Sequence, residues 1–183
     1  PEAIKRLSLF RDKGEFHNVA GVSDRALLRL GHALAREKQW EPSRQAHEMS
    51  VQRFGNGPWA NDARYGVAWA RQQLKQFDDA VNWYTQVANA STTELAAKAQ
   101  LQIGLCRLEQ KRYPEAATAL LVVPYTYDYP ELNAAALCEA ARALVETKQP
   151  AVAERLLERV VKEHPASEWA KVAKERLVVL RKK

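Results

Sequence analysis

The sequence predicts an all-α chain, a superhelical α-α solenoid of about four helix hairpins with capping helices. Three observations carry that prediction. A phrase returns along the chain as "KQWEPS" from Lys38, "KQFDDA" from Lys75, "KRYPEA" from Lys111 and "KQPAVA" from Lys148. Its closing small residue falls at Ser43, Ala80, Ala116 and Ala153, at intervals of 37, 36 and 37, and a fixed period of that size marks stacked repeats. Twelve residues before each stands another small residue, Gly31, Ala68, Gly104 or Ala141. Finally, 183 residues hold only seven glycines and eight prolines. Strong helix formers dominate, and no useful period-2 strand pattern interrupts them.

From the N-terminus, residues 1–22 read as a helix and a connection: "PEAIKRLSLFRD" is amphipathic, while "KGEFHNVAGVS" holds two glycines and no period. Four repeats follow, at about 23–58, 59–91, 92–130 and 131–165. In the first, "SDRALLRLGHALARE" places Leu27, Leu30 and Leu34 at intervals of three and four, one face of a helix, with Ser23 or Asp24 suited to its N-cap. Second helices are expected to start near Trp40, Phe77 and Tyr113 and to run through Met49, Val81, Tyr84, Val87, Leu120, Leu157 and Val160. The paired small residues let two helix backbones approach, and a bulky residue at the second helix's start fills the wedge. Between the third and fourth repeats, "PYTYDYPEL" is expected to be a loop, because a residue preceding proline favours extended backbone. Its Tyr125, Tyr127 and Tyr129 either form a partner surface or pack on adjoining helices with wet hydroxyls. Residues 166–183 read as a capping helix with Trp169, Ala170, Ala173, Leu177 and Leu180 in one stripe, since terminal elements of a solenoid need a polar outer face.

Catalysis finds no residues to carry it. His17, His32, His47 and His164 are scattered, and HExxH, GxSxG and phosphate-loop motifs are missing from the sequence. Cys106 and Cys138 are 32 residues apart without CxxC spacing, so no structural zinc is expected; two buried thiols, or a disulfide between adjacent helices, remain open. Glu154 and Glu158 beside Arg155 and Arg159 look like a salt-bridged, solvated face. The reading is a non-enzyme with no metal and no cofactor. No apolar run approaches the roughly 20 residues that span a bilayer. The chain opens on Pro1 rather than an initiator methionine, so it is read as an excised region.

A first-helix Gly or Ala, an aromatic nine residues on, Ala three later and a large residue four beyond resemble the tetratricopeptide repeat. Ala68, Phe77, Ala80 and Tyr84 carry the resemblance in the second unit, and Gly104, Tyr113, Ala116 and Leu120 in the third. Ala141, Ala153, Leu157 and Pro165 carry it in the fourth; Gly31, Trp40, Ser43 and His47 match less fully in the first. The chain departs where large apolar residues are usual: Arg64, Arg71, Gln100 and Arg107 stand there, with Tyr65 and Leu101 one place along. With its longer period and the closing "HPASEWAKVAKERL", it is similar to the repeats of bacterial cell-envelope proteins, such as the periplasmic Tol-Pal coordinator and the outer-membrane assembly lipoprotein. That resemblance implies a bacterial periplasmic or envelope setting and a non-catalytic scaffold binding a protein or peptide partner.

It also implies which residues line a concave groove. These are Arg25, Leu28, His32 and Arg36 in the first unit; Tyr65, Trp69, Gln72 and Gln73 in the second; Lys98, Leu101, Leu105 and Glu109 in the third; and Cys138, Arg142 and Glu146 in the fourth. Tyr65 and Trp69 would be aromatic anchors in a cationic surround, the classes enriched in binding hot spots. A rotation of the first helices would instead turn both rings into the core. The carboxylate clamp that holds acidic C-terminal peptides in this family needs Lys and Asn where Leu28, His32 and Gly66 stand. The net charge of +6, with nine Lys or Arg against five Glu in the last 30 residues, supplies the rival reading of a polyanion surface. Nucleic acid is disfavoured because the surplus is diffuse and lacks interleaved stacking aromatics. A purely architectural spacer in a longer array is the third reading.

Overall fold

The computed structural model describes residues 2–182 and places ten α-helices and one 3₁₀ turn, with no strand among the described residues. The chain divides into two compact units, Pro1–Ala90 and Ser91–Lys183.

In the first unit α1 spans Glu2–Asp12, followed by a 3₁₀ turn at Gly14–Phe16, α2 at Ser23–Arg36, α3 at Trp40–Phe54, α4 at Ala60–Gln73 and α5 at Phe77–Ala88. Helices α2 and α3 form one hairpin and α4 and α5 the next; α3 also packs on α4, α2 on α4, and α1 on α2. The core runs through Leu27, Leu30, Leu34, Val67, Tyr84 and Val87, all essentially without solvent contact. Ser23 does not cap α2, as its sequence position suggested. It is the first helical residue, and its buried hydroxyl accepts from Val19 N at 2.7 Å and donates to the Phe16 carbonyl at 2.7 Å. It thereby ties the irregular connection to the helix, leaving Val22 as an uncapped N-cap.

In the second unit α6 spans Glu94–Glu109, α7 Tyr113–Thr126, α8 Pro130–Glu146, α9 Pro150–Glu163 and α10 Glu168–Leu180. Each helix packs on the next, and α8 also meets α6 and α10. Leu120, Leu137, Leu157 and Val160 are fully enclosed in its core, beside Ala134 to Ala143 of α8. The stripe of α10 lies as its spacing predicts, with Ala170, Ala173 and Leu177 buried and Trp169 and Leu180 packed against the cluster. Val178 and Val179, however, are more than half exposed.

The expected loop after α7 is shorter than its two prolines suggested. Helix α7 runs through Pro124 to Thr126, because a proline in the last turn removes one donor and the Tyr127 N–H still closes that turn on Val123 O at 3.0 Å. Tyr125 is 73% exposed under the Arg159 guanidinium, whereas Tyr127 is buried and its carbonyl accepts from Asn133 Nδ2. Both cysteines are buried and neither is in a disulfide.

The recurring lysine has a backbone explanation. Lys38, Lys75, Lys111 and Lys148 are the only non-glycine residues of positive φ among those described, at 56°, 61°, 59° and 59°. Each follows a first helix and donates to a carbonyl three residues back, while the next residue donates five back, as in Lys38 N to Ala35 O and Gln39 N to Leu34 O, both 2.9 Å. This is the left-handed helix ending usually given to glycine. Lysine tolerates it at a small cost, but a β-branched side chain does not. Lys75→Val is therefore expected to lower stability by about 1–2 kcal/mol, with Lys75→Asn close to the parent, in urea titrations followed by circular dichroism.

Candidate functional site

In the first unit the sequence-predicted residues gather on α2 and α4. Arg25, His32 and Arg36 lie exposed on one face of α2, joined by Arg29, which the groove positions did not include. Leu28 is buried on the flank of that face, so its expected place in a binding surface gives way to packing. On α4, Tyr65 and Trp69 are half-buried. Tyr65 meets the Tyr84 ring edge-to-face at 5.1 Å, and Trp69 meets Trp40 at 5.3 Å and 77°. Neither ring is wholly in the core and neither stands free: each leans on an aromatic of a second helix and keeps part of its surface in water. Tyr84 donates its buried hydroxyl to Gln72 Oε1 at 2.8 Å, while Gln73 is exposed. The Arg25 guanidinium lies 5.7 Å from the centre of the Trp59 ring, a cation–π contact.

Beneath this face lies His47 of α3, 0% exposed. Its ring fills a slot between two glycines: a Cβ on Gly31 of α2 would come within 2.4 Å of it, and one on Gly66 of α4 within 2.5 Å. Neither ring nitrogen has a hydrogen-bond partner. Burial, with a smaller contribution from His32, holds its pKa at about 3, so the imidazole is neutral. The His32 ring lies 5.1 Å away, and burial lowers its pKa against the opposing pull of Asp62. The polar residues that replaced apolar ones on α4 also bind second helices. Arg71 reaches Glu48 of α3 at 2.8 Å and Asp79 of α5 at 2.9 Å, and Arg64 donates to the Gly55 carbonyl at 2.8 Å.

In the second unit the first helices are α6 and α8, with α10 beside α8. Lys98 pairs with Glu94 at 2.8 Å on its own helix, and Leu101 is buried. Cys138 is fully buried, its thiol directed at the Trp169 carbonyl, and burial pushes its pKa up to about 11. These residues therefore offer little to a ligand. Leu105 is half-buried against the core, while Glu109, Arg142 and Glu146 are exposed. Arg142 and Glu146 border two adjoining depressions. An apolar one of about 320 Å³ is walled by Ala141, Val145, Leu157, Val179 and Leu180. A smaller one of about 230 Å³ is lined by Leu108, Glu109, Lys111 and Tyr113. Behind them a buried carboxylate, Glu139, is held by Arg142 at 2.9 Å and Arg176 at 2.8 Å, and Arg176 also donates to the Cys138 carbonyl at 2.7 Å.

The resemblance named Glu109, Arg142 and Glu146, which line these depressions, but not Val145, Val179 or Arg176, whose place depends on how α10 lies against α8. Arg29 was legible, standing four residues after Arg25 and seven before Arg36. Among the described residues no His, Cys, Asp and Glu cluster could hold a metal ion, and no helix is long and apolar enough to cross a membrane.

The family model of the tetratricopeptide repeat matches residues 98–128 and 135–167. No curated protein matches significantly. Among solved structures the fold is similar to YrrB, described as a TPR protein with an unusual peptide-binding site. The TM-score is 0.70 at 17% identity, over 95% of this chain and 84% of that one. It is also similar to a putative kinesin light chain of Podosopora anserina with nearly identical TPR-like repeats, at a TM-score of 0.68 and 18% identity, over 86% of this chain and 85% of that one. The paired helices, the small-residue contacts and these matches together identify an all-α solenoid fold whose residues 98–128 and 135–167 match the tetratricopeptide repeat.

Proposed function

We propose that the chain is a non-catalytic scaffold that binds a peptide or a protein segment on the first-helix faces of its repeats. In the first unit the surface is Arg25, His32 and Arg36 of α2 with Tyr65, Trp69, Gln72 and Gln73 of α4. In the second it is Leu105, Glu109, Arg142 and Glu146 beside the apolar depression. The observation that carries the reading is the half-burial of Tyr65 and Trp69. Aromatic rings anchored on one side and wet on the other are what a binding hot spot requires, because a partner gains their remaining area without first ordering them. The description of YrrB as peptide-binding supports the same class of ligand. An envelope assembly is the setting we favour, on the resemblance of the long-period repeats.

The test is affinity capture with the chain as bait at low and moderate salt, alongside Trp69→Ala. Salt-resistant recovery of a particular protein, lost in the variant, is expected. Because Trp69 keeps part of its surface in water, Trp69→Ala should cost less than the roughly 3–5 kcal/mol of a fully buried tryptophan, and loss of capture by a variant that circular dichroism shows folded reports binding. Recovery of nucleic acid alone, lost at moderate salt, would replace the scaffold by a polyanion surface. No saturable ligand would favour a spacer.

A further inference from the structure

The exposed face of α2 carries a charge that the first unit leaves uncompensated. Arg25, Arg29, His32 and Arg36 follow one another at intervals of four, three and four. On a helix turning 100° per residue they fall within an arc of about 60° and along about 16 Å. All four are exposed. Elsewhere Arg44, Arg71, Arg142, Arg159, Arg176 and Arg181 meet carboxylates, and Arg53 and Arg64 donate to backbone carbonyls. Among the described residues the guanidiniums of Arg25, Arg29 and Arg36 meet no carboxylate; that of Arg25 lies over the Trp59 ring. Like charges at such spacings repel and destabilise a helix. An anion laid along the face removes that penalty as well as adding attraction.

We infer that this face of α2 docks an acidic segment of a protein partner, held extended, with side-chain carboxylates on Arg25, Arg29 and Arg36. The inference rests on the peptide-binding reading and adds the partner's charge and the helix that reads it. The spacing supports it. Arg25 and Arg29 are about 6 Å apart along the axis and Arg29 and Arg36 about 10 Å, whereas alternate residues of an extended chain share one face and lie about 6.8 Å apart. Acidic side chains at alternate positions thus match Arg25 and Arg29 directly, and the length of the arginine side chain takes up the few ångströms of offset to Arg36. This differs from a clamp on a C-terminal carboxylate, for which the lysine and asparagines are missing. One feature favours a peptide over nucleic acid. Tyr65 and Trp69 each already lean on a second ring, Tyr84 and Trp40, which leaves less ring surface for stacking bases than a free platform offers.

The experiment uses fluorescence anisotropy with the whole chain and three labelled probes: a peptide of about ten residues alternating Glu and Leu, its Gln and Leu counterpart, and an oligothymidine of similar length. Each is titrated at about 50 mM and about 200 mM salt. The Glu peptide is expected to bind at least about tenfold more tightly than the Gln peptide. The double variant Arg29→Gln, Arg36→Gln should lose about that factor, with helix content unchanged because neither side chain has a partner to lose. Equal affinity for the two peptides, no binding of the Glu peptide, or indifference to the double variant overturns the inference. Tighter binding of oligothymidine with a steep salt dependence also overturns it, in favour of a polyanion surface. If the Gln peptide binds as well as the Glu peptide and both need Trp69, only the charge claim falls. If neither peptide binds, the peptide reading of this face falls with it.

Discussion

Acidification from pH 7.5 to pH 5 is expected to cost the first unit about 2 kcal/mol through His47 alone. The sign follows from where the proton goes. Unfolded, the imidazole titrates near its ordinary pKa of about 6.5; folded, burial holds it at about 3. Between those values the unfolded chain binds a proton that the folded chain refuses. The stabilisation is therefore complete above about pH 6.5 and is lost as pH falls toward 3, at about 1.4 kcal/mol per pH unit. The geometry agrees, because a charged ring between Gly31 and Gly66, with neither nitrogen bonded, would have no compensation. Trp40, Trp59, Trp69 and Trp83 all lie in this unit, so urea titrations followed by tryptophan fluorescence at the two pH values report on it. His47→Leu places there the residue that fills the corresponding slots at Leu120 and Leu157. It should remove this part of the pH dependence whatever it does to stability at neutral pH. Parallel profiles for parent and variant would mean that the ring finds a partner or leaves its slot, and the buried neutral histidine would have to be abandoned.

The second large effect lies in the equivalent slot of the second unit. Leu120 of α7 is fully enclosed, and a Cβ on Gly104 of α6 would stand 2.3 Å from its Cγ. Leu120→Ala should cost about 3–5 kcal/mol through lost transfer energy and a cavity. Gly104→Ala, which forces the leucine aside, should cost about 1–3 kcal/mol. The two errors are complementary, since the new methyl group enters the space the leucine vacates. The double variant should therefore be more stable than the sum of the single effects by at least about 1 kcal/mol. Thermal or urea unfolding of the four proteins measures this coupling. Additive costs would show that the glycine and the leucine do not share one slot.

These slots explain how far the sequence could be read. The first-helix residue at Gly31, Ala68, Gly104 and Ala141 is small because a residue from the second helix needs its space, and the spacing of twelve between Gly104 and Ala116, or Gly31 and Ser43, reflects that crossing. Ser43 donates to the Gly31 carbonyl at 2.8 Å across it. The start of the second helices at Trp40, Phe77 and Tyr113 was legible for the same reason. In these three repeats the bulky residue stands two places after the lysine that makes the left-handed turn, so the two recur at a fixed distance.

The sequence by itself determined the helical class, the period, the second-helix starts at Trp40, Phe77 and Tyr113 and the positions at which paired helices touch. All of these depend on neighbours a few residues away or on a spacing repeated along the chain. Tertiary structure alone decided that His47 is neutral and unpartnered and that Tyr65 and Trp69 are half-buried. It also decided that Leu28 and Leu101 are withdrawn from the exposed faces and that Val145, Val179 and Leu180 wall a depression. Burial of a side chain is set by the angle at which one helix rolls against the next. A rotation of a few tens of degrees leaves every sequence interval unchanged while moving a ring from water to core.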